Sequence, residues 1–314
     1  MNRAVWMVTA VLTALPPFRV SAQSEGSVVA ALPGSTRSAA LGGAGAALLG
    51  DAGAVFANPA GLAAVHHLSI EGSYEPYLAG TAVSAAAVAL RVGRFTWGFG
   101  TQALDYGVEP EIVPDPATGG RTGIATGATF HPYDVLAVSS FVYRRGFLAF
   151  GVSGKYDRQE FGSGPADAWA GDVGMAIAVF DIMAFGVSVQ NLGGDLGPQG
   201  GGAADARLPR RTRAGFTLNY TDPQGVFRLL TTLEAQWPRG RAAVLIQGVE
   251  GGLVAGGVGF VGRAGYATRP AVTDASRFTF GGGVVLGRLQ LDYAFQGYDA
   301  LGGGTHRVGV RWTP

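Results

Sequence analysis

The chain has 314 residues, of which 47% are hydrophobic and only 14% charged, where a soluble chain carries about 25% charged residues. A formal net charge of +1 supplies no basic excess for nucleic acid. The absence of cysteine excludes disulfide frameworks, thiol catalysis and cysteine-bound zinc.

The chain begins MNRAVWMVTAVLTALPPFRVSAQ. Arg3 gives a positive start, residues 4–15 an apolar core, and Val20-Ser21-Ala22 a small-residue cleavage site, so residues 1–22 read as a secretory signal peptide with Gln23 as the mature start. The apolar run is too short for a membrane helix, which needs about 20 residues.

Residues 23–64 form an N-terminal periplasmic or plug segment rich in alanine and glycine. Asn58 suits a helix N-cap and Pro59 the first helical position, and Asp51 can cap the preceding turn in the same way. Two short helical turns are therefore expected, over 51–57 and 59–63. Side chains this small keep the segment slim enough to lie inside a narrow lumen or across its periplasmic mouth.

From residue 65 to 314 the periodicity is two. In RLQLDYAFQ, Leu289, Leu291, Tyr293 and Phe295 share one face, and Arg288, Gln290, Asp292 and Gln296 the other. DIMAFGVSVQN, RFTWGFGTQ and RRTRAGFTLNY alternate alike. An apolar, exported chain without a helical span and with alternating strands reads as an all-β fold, a transmembrane antiparallel β-barrel. About fourteen strands are expected, starting near His66, Thr81, Arg94, Tyr133, Gly146, Asp167, Ile182, Arg210, Val226, Ala242, Val258, Arg277, Arg288 and Thr305. The Ala242 strand is the weakest, since Val244, Leu245 and Ile246 fill both faces.

Connection lengths alternate. Short turns fall near Val92, Arg144, Phe180, Thr221 and Gly287, and the long connections at 107–132 and 192–208 fall on the opposite side, the asymmetry of outer-membrane barrels. Trp97, Tyr106, Tyr133, Trp169, Tyr220, Trp237 and Trp312 gather toward strand ends, where interfacial aromatic girdles sit.

The stretch RSAALGGAGAALLGDAGAVFANPAGLA is similar to the N-terminal signature of the PorV/PorQ family, within the wider FadL-like outer-membrane barrels. The matching plug positions include Arg37, Gly42, Gly43, Asp51, Asn58, Pro59, Ala60 and Gly61, and GVSVQNLGG and LPRRTRAGF resemble later family features. The resemblance implies a fourteen-stranded barrel with an N-terminal plug in the outer membrane of a Gram-negative-type bacterium. It also implies one of two roles. PorV/PorQ-type members act in type IX-like secretion or surface attachment, with secretion-system proteins or exported cargo as partners. FadL-type members move hydrophobic small molecules inward. In the second case a lateral opening would show as a strand kinked near the plug, and the thin stretch at 84–88 marks the place for it.

No catalytic pattern stands out. The run after Gly43 has Leu48 where a dinucleotide fingerprint needs glycine, and Lys155 lacks the flanking residues of a P-loop. There is no nucleophile elbow and no zinc-protease helix, and the adjacent His66 and His67 would point to opposite faces of a strand. No enzyme activity, metal, cofactor or nucleic-acid partner is expected; the surrounding outer-membrane lipid is. Charged residues on inward faces, among them Glu71, Lys155, Asp172, Arg213, Glu234 and Arg263, read either as a ligand path or as a salt-bridged filling of a narrow lumen. Their near-equal signs favour the filling.

Overall fold

The computed structural model describes residues 26–161, 164–180, 182–198, 206–270, 275–298 and 303–314; the signal peptide expected at 1–22 lies outside them. Its strands are β1 (Leu68–Pro76), β2 (Ala82–Val92), β3 (Phe95–Asp105), β4 (Glu109–Pro114), β5 (Gly123–Phe130), β6 (Tyr133–Arg145), β7 (Leu148–Glu160), β8 (Pro165–Val179), β9 (Met183–Gly193), β10 (Asp195–Pro198), β11 (Ala206–Arg207), β12 (Arg211–Thr221), β13 (Phe227–Pro238), β14 (Val244–Ala255), β15 (Val258–Ala267), β16 (Ala275–Leu286), β17 (Leu289–Tyr298) and β18 (Gly303–Trp312).

β4 and β5 form a separate hairpin, and β10 and β11 branch from β8. The remaining fourteen strands pair antiparallel with their neighbours, and β1 pairs with β18, so the sheet closes. Every barrel strand starts within two residues of its expected position. Closure leaves no free edge, the condition for a sheet in hydrocarbon.

The period-two pattern becomes an inside and an outside. On β17, Leu289, Leu291 and Tyr293 are exposed outward while Asp292 is buried inward. On β14, Leu245 faces out and Ile246 is buried against the lumen contents, which resolves the doubly apolar start of that strand. No helix among the described residues is long and apolar enough to cross a membrane. Near the ends, Phe95, Trp97, Phe141 and Tyr143 cluster at one rim, and Tyr156 stacks on the strongly exposed Trp169 at the other. The short turns and the end of β18 share one end of the barrel. The long connections share the other, with the β4–β5 hairpin among them.

The N-terminal segment fills the lumen. It contains the helix α1 (Thr36–Ala40) and two 3-10 turns, η1 (Ala52–Phe56) and η2 (Pro59–Ala64). The helix α1 lies along β15–β18, η1 along β1–β3 and β6, and η2 along β6–β9. Asn58 caps η2 through its side-chain oxygen, which accepts from the Ala60 N–H at 3.1 Å, and Pro59 follows it. Asp51 precedes η1 but makes no side-chain cap, correcting that expectation: its carboxylate is drawn to Arg37 and Arg311 instead.

The wall meets the plug with glycine. A Cβ at Gly186 would fall on the Ala46 carbonyl, one at Gly265 on the backbone of Leu41 and Gly42, and one at Gly174 on Asn58. Here the high glycine content serves close backbone approach. The thin strand β2 has the same purpose. Ala85, Ala87 and Ala89 turn inward and are buried, and β2 keeps an unbroken register with both β1 and β3. The lateral opening expected at 84–88 is therefore absent, because those small residues make room for η1 and do not weaken the wall.

Candidate functional site

The plug is held by charge at the short-turn end. Arg37 of α1 grips Glu250 of β14 with two bonds, Nε to Oε2 at 2.8 Å and Nη2 to Oε1 at 2.9 Å, and also reaches Asp51 at 2.6 Å. Glu250 accepts in addition from Arg263 at 2.8 Å, and Arg263 bridges to Asp292 at 2.5 Å. Arg311 pairs with Asp51, and Arg228 lies 3.6 Å from Glu250. Glu71 accepts from the Gly53 N–H at 3.1 Å. Burial works against the charge of Arg37, but the Glu250 carboxylate outweighs it and holds the guanidinium above its ordinary pKa.

A second anchor grips the turn after α1, where Gly42 and Gly43 adopt positive φ. Glu234 accepts from the N–H groups of Gly45 and Ala46, both at 2.7 Å, and pairs with Arg213 at 2.6 Å, whose Nη2 also donates to the Gly43 carbonyl at 2.6 Å. These bonds satisfy polar backbone that would otherwise be buried without partners. Asn58 donates to the Ala46 carbonyl at 2.7 Å and to Met175 O at 3.2 Å, and Ser188 and Gln190 donate to the carbonyls of Ala57 and Phe56. Pro59, Ala60 and Gly61 are buried within η2.

Lys155 and Asp172 form a third group in the wall, 2.8 Å apart and both buried. Asn191, held at φ +58, joins them: its side-chain oxygen accepts from Lys155 at 2.9 Å and its N–H donates to Asp172 at 2.8 Å. This knot sits where the β8–β9 register shifts between Gly171 and Val173.

Of the six charges singled out from the sequence, Glu71, Arg213 and Glu234 bond to the plug, Arg263 to Glu250 and Asp292, and Lys155 to Asp172, in separate groups that share no common centre among the described residues. Two groups were missed. Arg307 pairs with Glu75 at 2.6 Å and donates to the Pro33 carbonyl at 2.5 Å. Asp134 and Asp157, fully buried, share the hydroxyl of Ser27 at 3.3 and 2.7 Å and fix the start of the plug segment. Strand alternation alone places these residues inward; their pairing depends on register across the sheet. His66 and His67 are exposed ahead of β1, and no group of three or more potential ligands among the described residues could hold a metal.

At the long-loop end the filling stops. Between the plug and the loops lies a cavity of about 480 Å³. Its floor includes Ala31, Leu32, Pro33 and Phe56. One side carries Tyr77, Phe295 and Tyr298, the two tyrosine rings meeting edge to face at 6.2 Å. Burial pushes the Tyr77 hydroxyl well above its ordinary pKa, and the Glu75–Arg307 ion pair lines the cavity beside it. Arg241, Arg269 and Arg277 also line the cavity, Arg277 on β16, the strand next to Phe295 and Tyr298.

No protein-family model matches the sequence, and no curated relative does. Solved structures share the fold across nearly the whole chain. The Pseudomonas putida toluene transporter TodX superposes with a TM-score of 0.57 at 12% identity, covering 94% of this chain and 98% of TodX. The Ralstonia pickettii toluene transporter TbuX gives 0.55 at 14% identity, covering 88% and 97%. A Pseudomonas aeruginosa FadL homologue gives 0.55 at 10%, covering 89% and 98%. The fold is that of the FadL-like group, and these structures add no support for PorV/PorQ within it.

Proposed function

We propose that the protein is a non-enzymatic outer-membrane transporter that admits a hydrophobic small molecule from the cell exterior into the vestibule above its plug. The observation that carries this reading is the cavity of about 480 Å³ between the plug and the long-loop end. Ligand pockets fall at about 300–1,000 Å³ and are largely apolar with a few polar groups, and this one joins aromatic and aliphatic walls to arginines. The likeness to toluene transporters supports the choice of ligand class. With short turns toward the periplasm, the vestibule opens outward.

A fluorescent hydrophobic probe titrated into purified protein tests this. Ala31→Phe and Ala275→Phe fill the vestibule from its floor and its rim and are expected to abolish saturable binding while the barrel stays folded. Equal binding by both variants would refute the site. Gentle extraction from native membrane with mass spectrometry separates the roles: a bound lipid or hydrocarbon supports transport, and a stoichiometric protein or exported cargo would replace it with secretion.

A further inference from the structure

Two arginines at the long-loop end face away from the vestibule. Where the chain enters β12, Pro209, Arg211 and Arg213 line the cavity, and at the end of β13 Gln236 and Pro238 do. The residues that alternate with them, Arg210, Thr212, Trp237 and Arg239, belong to the outer face of the wall. Trp237 is 41% exposed there, and Arg210 and Arg239 are exposed beside it.

Register sets the two arginines directly opposite each other. Arg211 pairs with Pro238 and Thr212 with Trp237. The Arg239 N–H donates to the Arg210 carbonyl at 2.9 Å, which carries the ladder one pair further. Cα atoms in such a pair stand about 5.5 Å apart, and like charges so placed repel. Elsewhere at this end the chain meets its exposed arginines with acids: Arg207 pairs with Asp195 at 2.9 Å, and Arg158 lies 3.8 Å from Asp167. Among the described residues no carboxylate pairs with Arg210 or Arg239.

Two guanidiniums side by side without an acid form a receptor for an anion with several oxygens. Each offers parallel N–H donors that match a phosphate. One phosphate taken between the two strands removes the repulsion. The height in the wall says what carries it. Trp237 marks the interfacial belt, where an aromatic ring sits at headgroup level. Arg210 and Arg239 lie two residues nearer the loops than Thr212 and Trp237, about 6.6 Å along the strands. The long loops face the cell exterior, so the headgroups at this height are those of the outer leaflet.

We propose that Arg210, Arg239 and Trp237 form a docking site for a phosphate-bearing lipid of the outer leaflet, the guanidiniums sharing its phosphate and the indole packing against the apolar part beneath. The site lies on the outer wall, apart from the vestibule and from any molecule admitted there.

Bisphosphorylated lipid A is the probe. It is titrated into the purified protein in mild detergent, and native mass spectrometry counts the lipid retained per barrel. Saturation at one lipid per barrel is expected, and Arg210→Gln with Arg239→Gln is expected to weaken retention at least about tenfold. Arg288→Gln removes an exposed arginine from the β16–β17 turn at the other end and is expected to leave retention unchanged. Lipid A stripped of its phosphates is expected to bind the unaltered protein as weakly as intact lipid A binds the double variant. Inorganic phosphate at the concentration of the lipid is expected to displace none of it. No retention by the unaltered protein, or equal retention by the double variant with heat-modifiable gel mobility showing both folded, overturns the site. Equal binding of the stripped lipid would mean an apolar contact only, and displacement by inorganic phosphate a site for the free anion; either overturns the lipid docking. The test requires nothing in the vestibule, so its failure leaves the transport reading standing.

Discussion

Glu250→Ala is the sharpest test of what holds the plug. The change removes the carboxylate that takes two bonds from Arg37 and one from Arg263, whose side chains are 9% and 1% exposed. Both guanidiniums keep one acid each, Asp51 and Asp292, but face each other and Arg228 across the gap. Removing one partner of a buried ion pair costs about 3–5 kcal/mol, mostly through the charge left behind. A released plug rehydrates Arg37, so that cost falls on the docked state. At about 1.4 kcal/mol per tenfold, the population of released plug should rise by roughly two to three and a half powers of ten.

Trypsin reads this directly. The bond after Arg37 is buried in the lumen, whereas Arg121 in the exposed hairpin is accessible in either state and serves as the internal control. Cleavage after Arg37, normalised to Arg121, follows the open population when reclosing is fast. A rise below about tenfold, or about 1.4 kcal/mol, would refute the charge anchor and leave packing against the glycine wall as the main restraint. The double variant Arg37→Met with Glu250→Met removes both charges. Because Arg37→Met also removes the cleaved bond, this variant and the two single changes are compared by denaturant unfolding, where it should recover a coupling of about 0.5–3 kcal/mol relative to the summed single changes.

Three further outcomes are expected. Gly186→Ala drives a methyl onto the Ala46 carbonyl and should weaken plug docking by about 1–3 kcal/mol, while Gly262→Ala, with open space at its Cβ, should stay within about 0.5 kcal/mol; Arg37 proteolysis compares them. Asn58→Ala loses the η2 cap and the donor to Ala46 O, together about 2–4 kcal/mol, read in the same assay. Lys155, the sole lysine and 2% exposed, should resist an amine-reactive reagent in the folded protein and react on denaturation. Mass spectrometry of the modified peptide decides that point.

The wall was legible because lipid and lumen impose opposite demands on alternate residues. Leu289, Leu291 and Tyr293 against Asp292 define β17 without further information, and the turn lengths add which end is which. The plug was legible as small and capped, since Asn58-Pro59 is a local signal. What it touches was not, because contacts such as Arg37 with Glu250 join residues far apart in sequence and depend on barrel closure and register. The same reason hid Asp134 and Asp157, whose common partner Ser27 comes from another part of the chain. The stretch at 84–88 misled for a different reason. Small residues mark either a weak wall or a wall that something approaches, and only the position of η1 decides between them.

The division of charge between wall and plug bears on how a ligand could pass. At the short-turn end the wall contributes Arg228, Arg263 and Arg311 together with Glu71, Glu250 and Asp292, and the plug contributes Arg37 with Asp51. In formal charge each of these two sets is balanced. Arg37 and Asp51 are bonded to each other, and Arg263 keeps Glu250 and Asp292 whether or not the plug is present. Displacing the intact plug therefore strands no buried charge, whereas deleting Glu250 does. A plug that moves as a unit faces the loss of directed hydrogen bonds and of packing against glycine, both short-ranged, with little net Coulomb attraction between the bodies. Its docking should then depend weakly on ionic strength. Cleavage after Arg37 in the unaltered protein is expected to change less than about threefold between about 0.1 M and about 1 M salt, over which the Debye length shrinks from about 10 Å to about 3 Å. A steep rise with salt would show instead that the plug is held by unbalanced charge, and that its exit, with ligand or without, works against a net Coulomb attraction to the wall.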